Sequence, residues 1–299
     1  MSNYIYIDDS GTSGDISPSK HIDTSRAIWA AIVLTSDIKY KIEEKIKHKL
    51  CEINIDNKIN LSEFHFTNIY SGKKEYKNIS TDVRLEIIQW FVNLYNEYRP
   101  YVLVTSCDKD TLKNSGFSEI FINFNVDGFR FKNPKDFSLW LLLLKCQEYL
   151  LENKNLYQLP AQIYIDSGRQ KAESTQKVLS ISDVCKNGEI TYCSSTDFLI
   201  QFVDFIAFVL NRIQNNLVKT RRPFDDIFLE KVGQIKWNTD VDLIAIKSDD
   251  LEGYGVSEYD TDLDRIVVER QQMPKELIDY MENLCKGIDF MKIFLEKRK

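Results

Sequence analysis

Tyr4-Ile5-Tyr6-Ile7-Asp8-Asp9-Ser10-Gly11 and Ile163-Tyr164-Ile165-Asp166-Ser167-Gly168 are two renderings of one pattern in a chain of 299 residues. Each alternates aromatic and aliphatic residues, stops at an aspartate and turns at Ser-Gly, the pattern of a short strand ending in a turn. On the two-residue pleat, Tyr4, Tyr6 and Asp8 share one face, as do Tyr164 and Asp166. In open α/β sheets, ligands gather beyond the carboxyl ends of the strands. If the two strands are neighbours, Asp8 and Asp166 converge there. An Asp-Ser-Gly turn by itself accounts for one such aspartate; a second copy at a second strand end points to a shared site.

The flanking sequence alternates helices and strands. Ala27–Thr35 reads as a buried strand, Ser36–Asn54 as a lysine-rich helix and Leu61–Phe66 as extended or turning. Ser80 opens an amphipathic helix through Glu97, with Leu85, Ile88, Val92 and Tyr95 at helical spacing. Tyr101–Ser106 is a strand, followed by a long loop or insertion. Asp136 caps an apolar helix to Glu152, Ala161–Asp166 is a strand, and a helix is expected from Gln170 to Cys185. A strand over Glu189–Cys193 and a helix over Phe198–Asn216 complete a layered α/β pattern. Beyond it, Asp240–Asp264 holds nine acids and one lysine, and Pro274 starts a helix with Leu277, Met281, Leu284, Ile288, Met291 and Leu295 on its apolar side. The expected organisation is a core over 1–222 and an appended segment over 223–299.

Composition is that of an ordinary folded protein: 43% hydrophobic and 28% charged, with six prolines and eleven glycines, too few for a fibrous or broadly disordered chain. The longest apolar run, Ala27–Leu34, falls well short of the ~20 residues a bilayer span needs. The opening residues carry no basic stretch ahead of a long apolar one, so the reading is a cytosolic protein without membrane partners. A net charge of −6 and a pI near 5.3 argue against coating nucleic acid by bulk electrostatics. They leave room for a protein that handles phosphates through divalent cations. Six cysteines without a C-x-x-C pair read as reduced, mostly buried thiols, and three histidines do not make a His-rich metal site. The chemistry therefore falls to carboxylates.

Two further places supply them. Asp204 sits inside Leu199–Arg212, a helix too apolar to carry a carboxylate that is neither paired nor bound to a cation. Gln201, Asp204, Ala207 or Phe208, and Asn211 form a stripe along it. Glu63 and His65 in Leu61-Ser-Glu-Phe-His-Phe66 project to the same side of an extended segment. Asp8, Glu63, Asp166 and Asp204 make a four-carboxylate set suited to two divalent ions, with His65 as a neighbouring proton shuttle. Oxygen donors favour Mg²⁺ or Mn²⁺ over zinc. Lys219, Arg221 and Arg222, just past the Asp204 helix, are placed to meet phosphates.

The order Tyr-Ile-Asp8-Asp-Ser-Gly, then Glu63-Phe-His-Phe, then Tyr-Ile-Asp166, then Gln201-Phe-Val-Asp204-Phe-Ile-Ala resembles the bacterial family called domain of unknown function 3800. The resemblance runs from Tyr4 to Arg212. This chain has Asp9 where the family usually has glutamate, and Phe202-Val203 where it usually has Leu-Ala; Asp8, Ser10, Gly11, Gln201 and Asp204 are unaltered. The resemblance implies an RNase H-like mixed sheet flanked by helices, here with a C-terminal helical and acidic extension. It also implies metal-dependent phosphodiester hydrolysis of nucleic acid, with Ser10, Gly11 and Gln201 beside the substrate, in a mobile-element or phage-defence setting.

Other readings fit less well. The paired Asp-Ser-Gly tripeptides suggest a pepsin-like protease, but such enzymes are nearly all-β. Asp260–Asp264 begins like an EF-hand loop, yet Arg265 and Gln271 stand where glycine and glutamate are required. There is no Walker A loop, G-x-G-x-x-G or G-x-S-x-G. The competing class is a catalytically silent scaffold that docks a protein partner through the acidic segment and the Pro274–Lys299 helix.

Overall fold

In the computed structural model, which describes residues 2–11, 27–107, 123–218 and 222–239, β1 (Asn3–Ser10) runs through the middle of a six-stranded sheet. On one side it pairs antiparallel with β2 (Ala27–Thr35), which carries β3 (Tyr101–Cys107), again antiparallel. On the other it pairs in parallel with β6 (Ala161–Asp166), followed by β8 (Cys185–Cys193), parallel to β6. A short antiparallel strand, β7 (Thr175–Lys177), closes that edge. The two Asp-terminated strands of the sequence are thus immediate neighbours.

Both faces of the sheet are covered, which explains why Ala27–Leu34 is apolar without alternation. One face packs α1 (Ser36–Asn57), α2 (Phe66–Ser71), α3 (Thr81–Tyr98), α5 (Phe198–Val218) and α6 (Pro223–Val232) over Tyr6, Ala30, Ile32 and Leu34. The other packs α4 (Pro134–Glu152) over Ile5, Ile7, Trp29, Ala31 and Val33. Ser80 caps α3 by accepting from Val83 N, as its sequence signals. The cap of α4 is Asn133, whose side chain accepts from Lys135 N, and not Asp136 as expected; Asp136 is instead buried against Arg169.

Two stretches depart from expectation. Gln170–Cys185 is not a helix: it forms a turn, then β7, then one 3₁₀ turn at Leu179–Ile181. Its Ser, Thr and Asp residues compete with helical hydrogen bonding, and pairing with β8 decides the outcome. The long insertion contains a hairpin, β4 (Asn125–Val126) with β5 (Phe129–Arg130), turned by Asp127 and Gly128 at φ 52° and 84°. Positive φ at both central residues is the type I′ hairpin geometry that Asp-Gly favours.

Residues 223–239 share the main core. Phe228, Leu229, Val232 and Ile235 join the cluster over α3 and α5, and Val102 N donates to Asn238 O at 2.8 Å. The acidic stretch and the Pro274 helix lie outside the described residues. Among the described residues no helix is long and apolar enough to cross a membrane. Phe228 is fully buried and packs edge-on to Tyr70 and Phe208 at 5.0 and 6.0 Å between ring centres. Phe228→Ala is therefore expected to cost about 3–5 kcal/mol in urea denaturation. A loss below about 1 kcal/mol would show α6 to be a peripheral attachment.

Candidate functional site

The parallel register pairs Tyr6 with Tyr164 and Ile7 with Ile165. One step further, Asp8 and Asp166 stand side by side on strands about 4.8 Å apart. The pleat turns both toward α5, the face that also holds the stacked rings of Tyr6 and Tyr164. There they line one cavity of about 560 Å³ with Asp204, Glu63 and His65. The stripe expected on α5 lines it too, through Gln201, Asp204, Phe208 and Asn211. Ser10 and Gly11 reach it from the end of β1, where Gly11 takes φ 95°; a side chain at that angle would be strained.

Glu63 and His65 reach the cavity because their neighbours point the other way. Phe64 and Phe66 are buried and meet the Phe91 ring edge-on at 5.2 and 4.7 Å. Two backbone amides tie this segment to α5: Phe64 N donates to Gln201 Oε1 at 2.9 Å, and Phe66 N donates to Asp204 Oδ2 at 3.2 Å. Gln201, expected beside substrate, also donates to Thr196 O and is 1% exposed, so its amide positions the segment.

One oxygen of each acid is held. Asp8 Oδ1 accepts from Asp9 N at 2.7 Å and Asp166 Oδ2 from Gly168 N at 2.8 Å. Glu63 Oε2 accepts from Ser195 Oγ at 2.6 Å. The second oxygen of Asp8 and of Glu63 takes no hydrogen bond among the described residues; Asp166 also has the Ser167 amide beside it. Asp9 points to the opposite face, where Lys135 Nζ meets it at 2.8 Å.

The acids crowd one another. Burial, then the charges of Asp204, Asp166 and Asp9, hold the Asp8 carboxyl well above the usual carboxylate range. Burial pushes Asp204 up to about 7, opposed by the Phe66 amide and assisted by Asp166, Asp9 and Glu63. Asp166 is raised by burial, against the pull of the Gly168 and Ser167 amides and Lys135. His65 Nδ1 is buried without a hydrogen-bond partner, 3.9 Å from Asp204 Oδ2.

This donor set fits a hard divalent cation: carboxylate oxygens, half of them uncommitted, around an orphaned imidazole nitrogen. Among the described residues no three His, Cys, Asp or Glu side chains are drawn together tightly enough to grip an ion as they stand.

Of the basic residues expected to meet phosphate, Arg222 caps α6 and pairs with Asp225 at 3.0 Å; Lys219 and Arg221 lie outside the described residues. The structure adds Ser195, Thr67, Tyr70, Ser71 and Arg212 to the cavity wall. None stands in a motif of its own, and Arg212 lies one residue past Asn211, the last position of the expected α5 stripe. Compared with protein-family models and with curated proteins, the chain matches none.

A carboxyl raised in the fold favours folding below its unfolded value, ~3.9, and loses that advantage as pH climbs through its folded value. For Asp204 the window runs from about 4 to about 7. Asp204→Asn carries no such charge and can still accept from Phe66 N. Its stability relative to wild type, read by denaturation without divalent metal, is expected to improve by roughly 1–3 kcal/mol between pH 4 and pH 8. A difference flat across that range would mean Asp204 is not crowded.

Proposed function

We propose that the protein is a metal-dependent nuclease with an RNase H-like fold, akin to the domain of unknown function 3800 family. The observation that carries this is the convergence of Asp8, Asp166 and Asp204 in one cavity, where burial and mutual repulsion raise all three carboxyls. A fold keeps such a cost where a cation relieves it. The sheet supports the same reading: β2 runs antiparallel between β3 and β1, and β6 and β8 follow in parallel. The family resemblance adds a mobile-element or phage-defence setting in the cytoplasm.

Asp8, Asp166, Asp204 and Glu63 would hold Mg²⁺ or Mn²⁺ through their uncommitted oxygens. Such ions, once bound, polarise phosphoryl oxygens and acidify water. The amides of Asp9, Gly168 and Phe66 fix the carboxyl planes, so little reorganisation is needed when a ligand arrives. His65 offers Nδ1 as the site that takes up or returns a proton beside Asp204. Ser195 orients Glu63 through its hydroxyl.

The direct test is incubation with single-stranded, duplex and hybrid oligonucleotides in Mg²⁺ or Mn²⁺. Cleavage is expected, and EDTA, Asp8→Asn or Asp166→Asn should abolish it. Activity that survives those controls belongs to a contaminant. No cleavage together with no Mn²⁺ binding would leave the scaffold reading.

The ligand set has its own check by calorimetric titration. Glu63→Gln is expected to weaken Mn²⁺ binding at least ~10-fold, and Ser195→Ala by less. Equal affinity in Glu63→Gln and wild type would remove Glu63 from the set.

A further inference from the structure

The cavity has two ends of opposite sign. Asp8, Glu63, Asp166 and Asp204 lie at one; at the other, Arg212 is the only arginine or lysine among the described residues that line it. Arg212 follows Asp204 by two turns of α5, about 12 Å along the axis at ~1.5 Å per residue. Its guanidinium lies 3.9 Å from the centre of the Tyr70 ring, and its Nε is buried without a hydrogen-bond partner. Among the described residues no carboxylate lies within ion-pair distance of it.

The platform beneath Arg212 is fixed from three sides. The Tyr70 hydroxyl donates to Asp225, which is itself paired with Arg222. Arg84 donates to the carbonyls of Ile69 and Tyr70. Phe224 and Phe228 meet the Tyr70 ring edge-on at 5.0 Å each. Arg84 and Arg222 are committed to structure, whereas Arg212 lies over the Tyr70 ring and lines the cavity with Thr67, Ser71 and Asn211. A planar guanidinium stacked on an aromatic ring and not spent on a carboxylate is the form in which arginine grips phosphate.

We propose that Arg212, stacked on Tyr70, binds a backbone phosphate of a polynucleotide strand away from the cleaved linkage, so that the site selects a strand over a mononucleotide or dinucleotide. This rests on the nuclease reading. A separation of about 12 Å matches roughly three nucleotides of a stacked strand at ~3.4 Å each, and fewer of an extended one. A dinucleotide has one internal phosphate and so cannot place one at each end.

The experiment is fluorescence anisotropy of labelled single strands of two and eight nucleotides, in Ca²⁺, over a range of salt, with Mn²⁺ titration of every variant alongside. Wild type is expected to bind the octamer at least ~10-fold more tightly than the dinucleotide. Arg212→Gln should remove most of that preference and lower the slope of log affinity against log salt by about 0.7, one single-strand phosphate contact. Its Mn²⁺ affinity should stay at the wild-type value. Arg212→Lys, which keeps the charge without the fork, should keep the slope and lose part of the affinity. If Arg212→Gln does not fold, Arg212→Lys decides alone: unchanged octamer affinity overturns the proposal. So does an Arg212→Gln protein with wild-type octamer affinity and slope, or one that loses the dinucleotide equally. Normal Mn²⁺ binding in those cases leaves the nuclease reading standing; failure of wild type to bind Mn²⁺ removes both.

Discussion

Parallel pairing of β1 with β6 is the constraint on which the site depends. It sets two carboxylates next to each other at the strand ends, and α5 lowers a third onto them. At ~5 Å in a medium of effective dielectric ~20, two like charges repel by about 3 kcal/mol. That cost falls on the rest of the fold. The face that carries it is also the more aromatic one, where Phe66, Phe91 and Phe205 pack ring to ring at 4.7 to 5.4 Å around the segment that presents Glu63 and His65. Packing on that scale can hold the acids together without a cation.

Strand pleating then sorts acids that are neighbours in sequence. Asp8 faces α5 and has no lysine or arginine partner among the described residues, while Asp9 faces α4 and has Lys135, whose ammonium also lies over Trp29. A one-residue shift of register would exchange them and bring the neutralised aspartate to the cavity. The same period of two operates in Glu63-Phe64-His65-Phe66, where the phenylalanines anchor and the polar residues emerge. In both places the apolar residue fixes where its polar neighbour goes.

This is why so much of the site could be read from sequence. Strand alternation and helical spacing report which side a residue faces, and Asp8, Asp166, Asp204, Glu63 and His65 were each singled out by that periodicity. What failed to appear were arrangements with no period. Gln170–Cys185 has apolar residues enough for a helix, and only pairing with β8 makes part of it a strand. Gln201 lines the cavity with the rest of its stripe, but local pattern says nothing of its bond to Phe64 N, 137 positions away in the chain. The pairing of Arg222 with Asp225, three positions on, was equally hidden, because sequence shows a cation and an acid but not the fork that joins them.

Net charge and local charge also answer different questions. A molecule of charge −6 repels a polyanion at long range, and its cavity concentrates four of its carboxylates, Asp8, Glu63, Asp166 and Asp204, at short range. A phosphate can therefore enter only where positive charge is supplied from outside or held at a point clear of the acids. Lys135 is on the wrong face, Arg84 is turned to backbone carbonyls, and Arg222 is matched by Asp225. Of the described residues lining the cavity, Arg212 keeps an unspent guanidinium, and it stands at the end most distant along α5 from the carboxylates that would cancel it. Had it stood one turn nearer Asp204, the two would form an ion pair, relieving the crowding and closing the site to cation and phosphate together. Keeping acids and arginine on one helix but out of reach of each other leaves each free to bind a ligand of opposite sign.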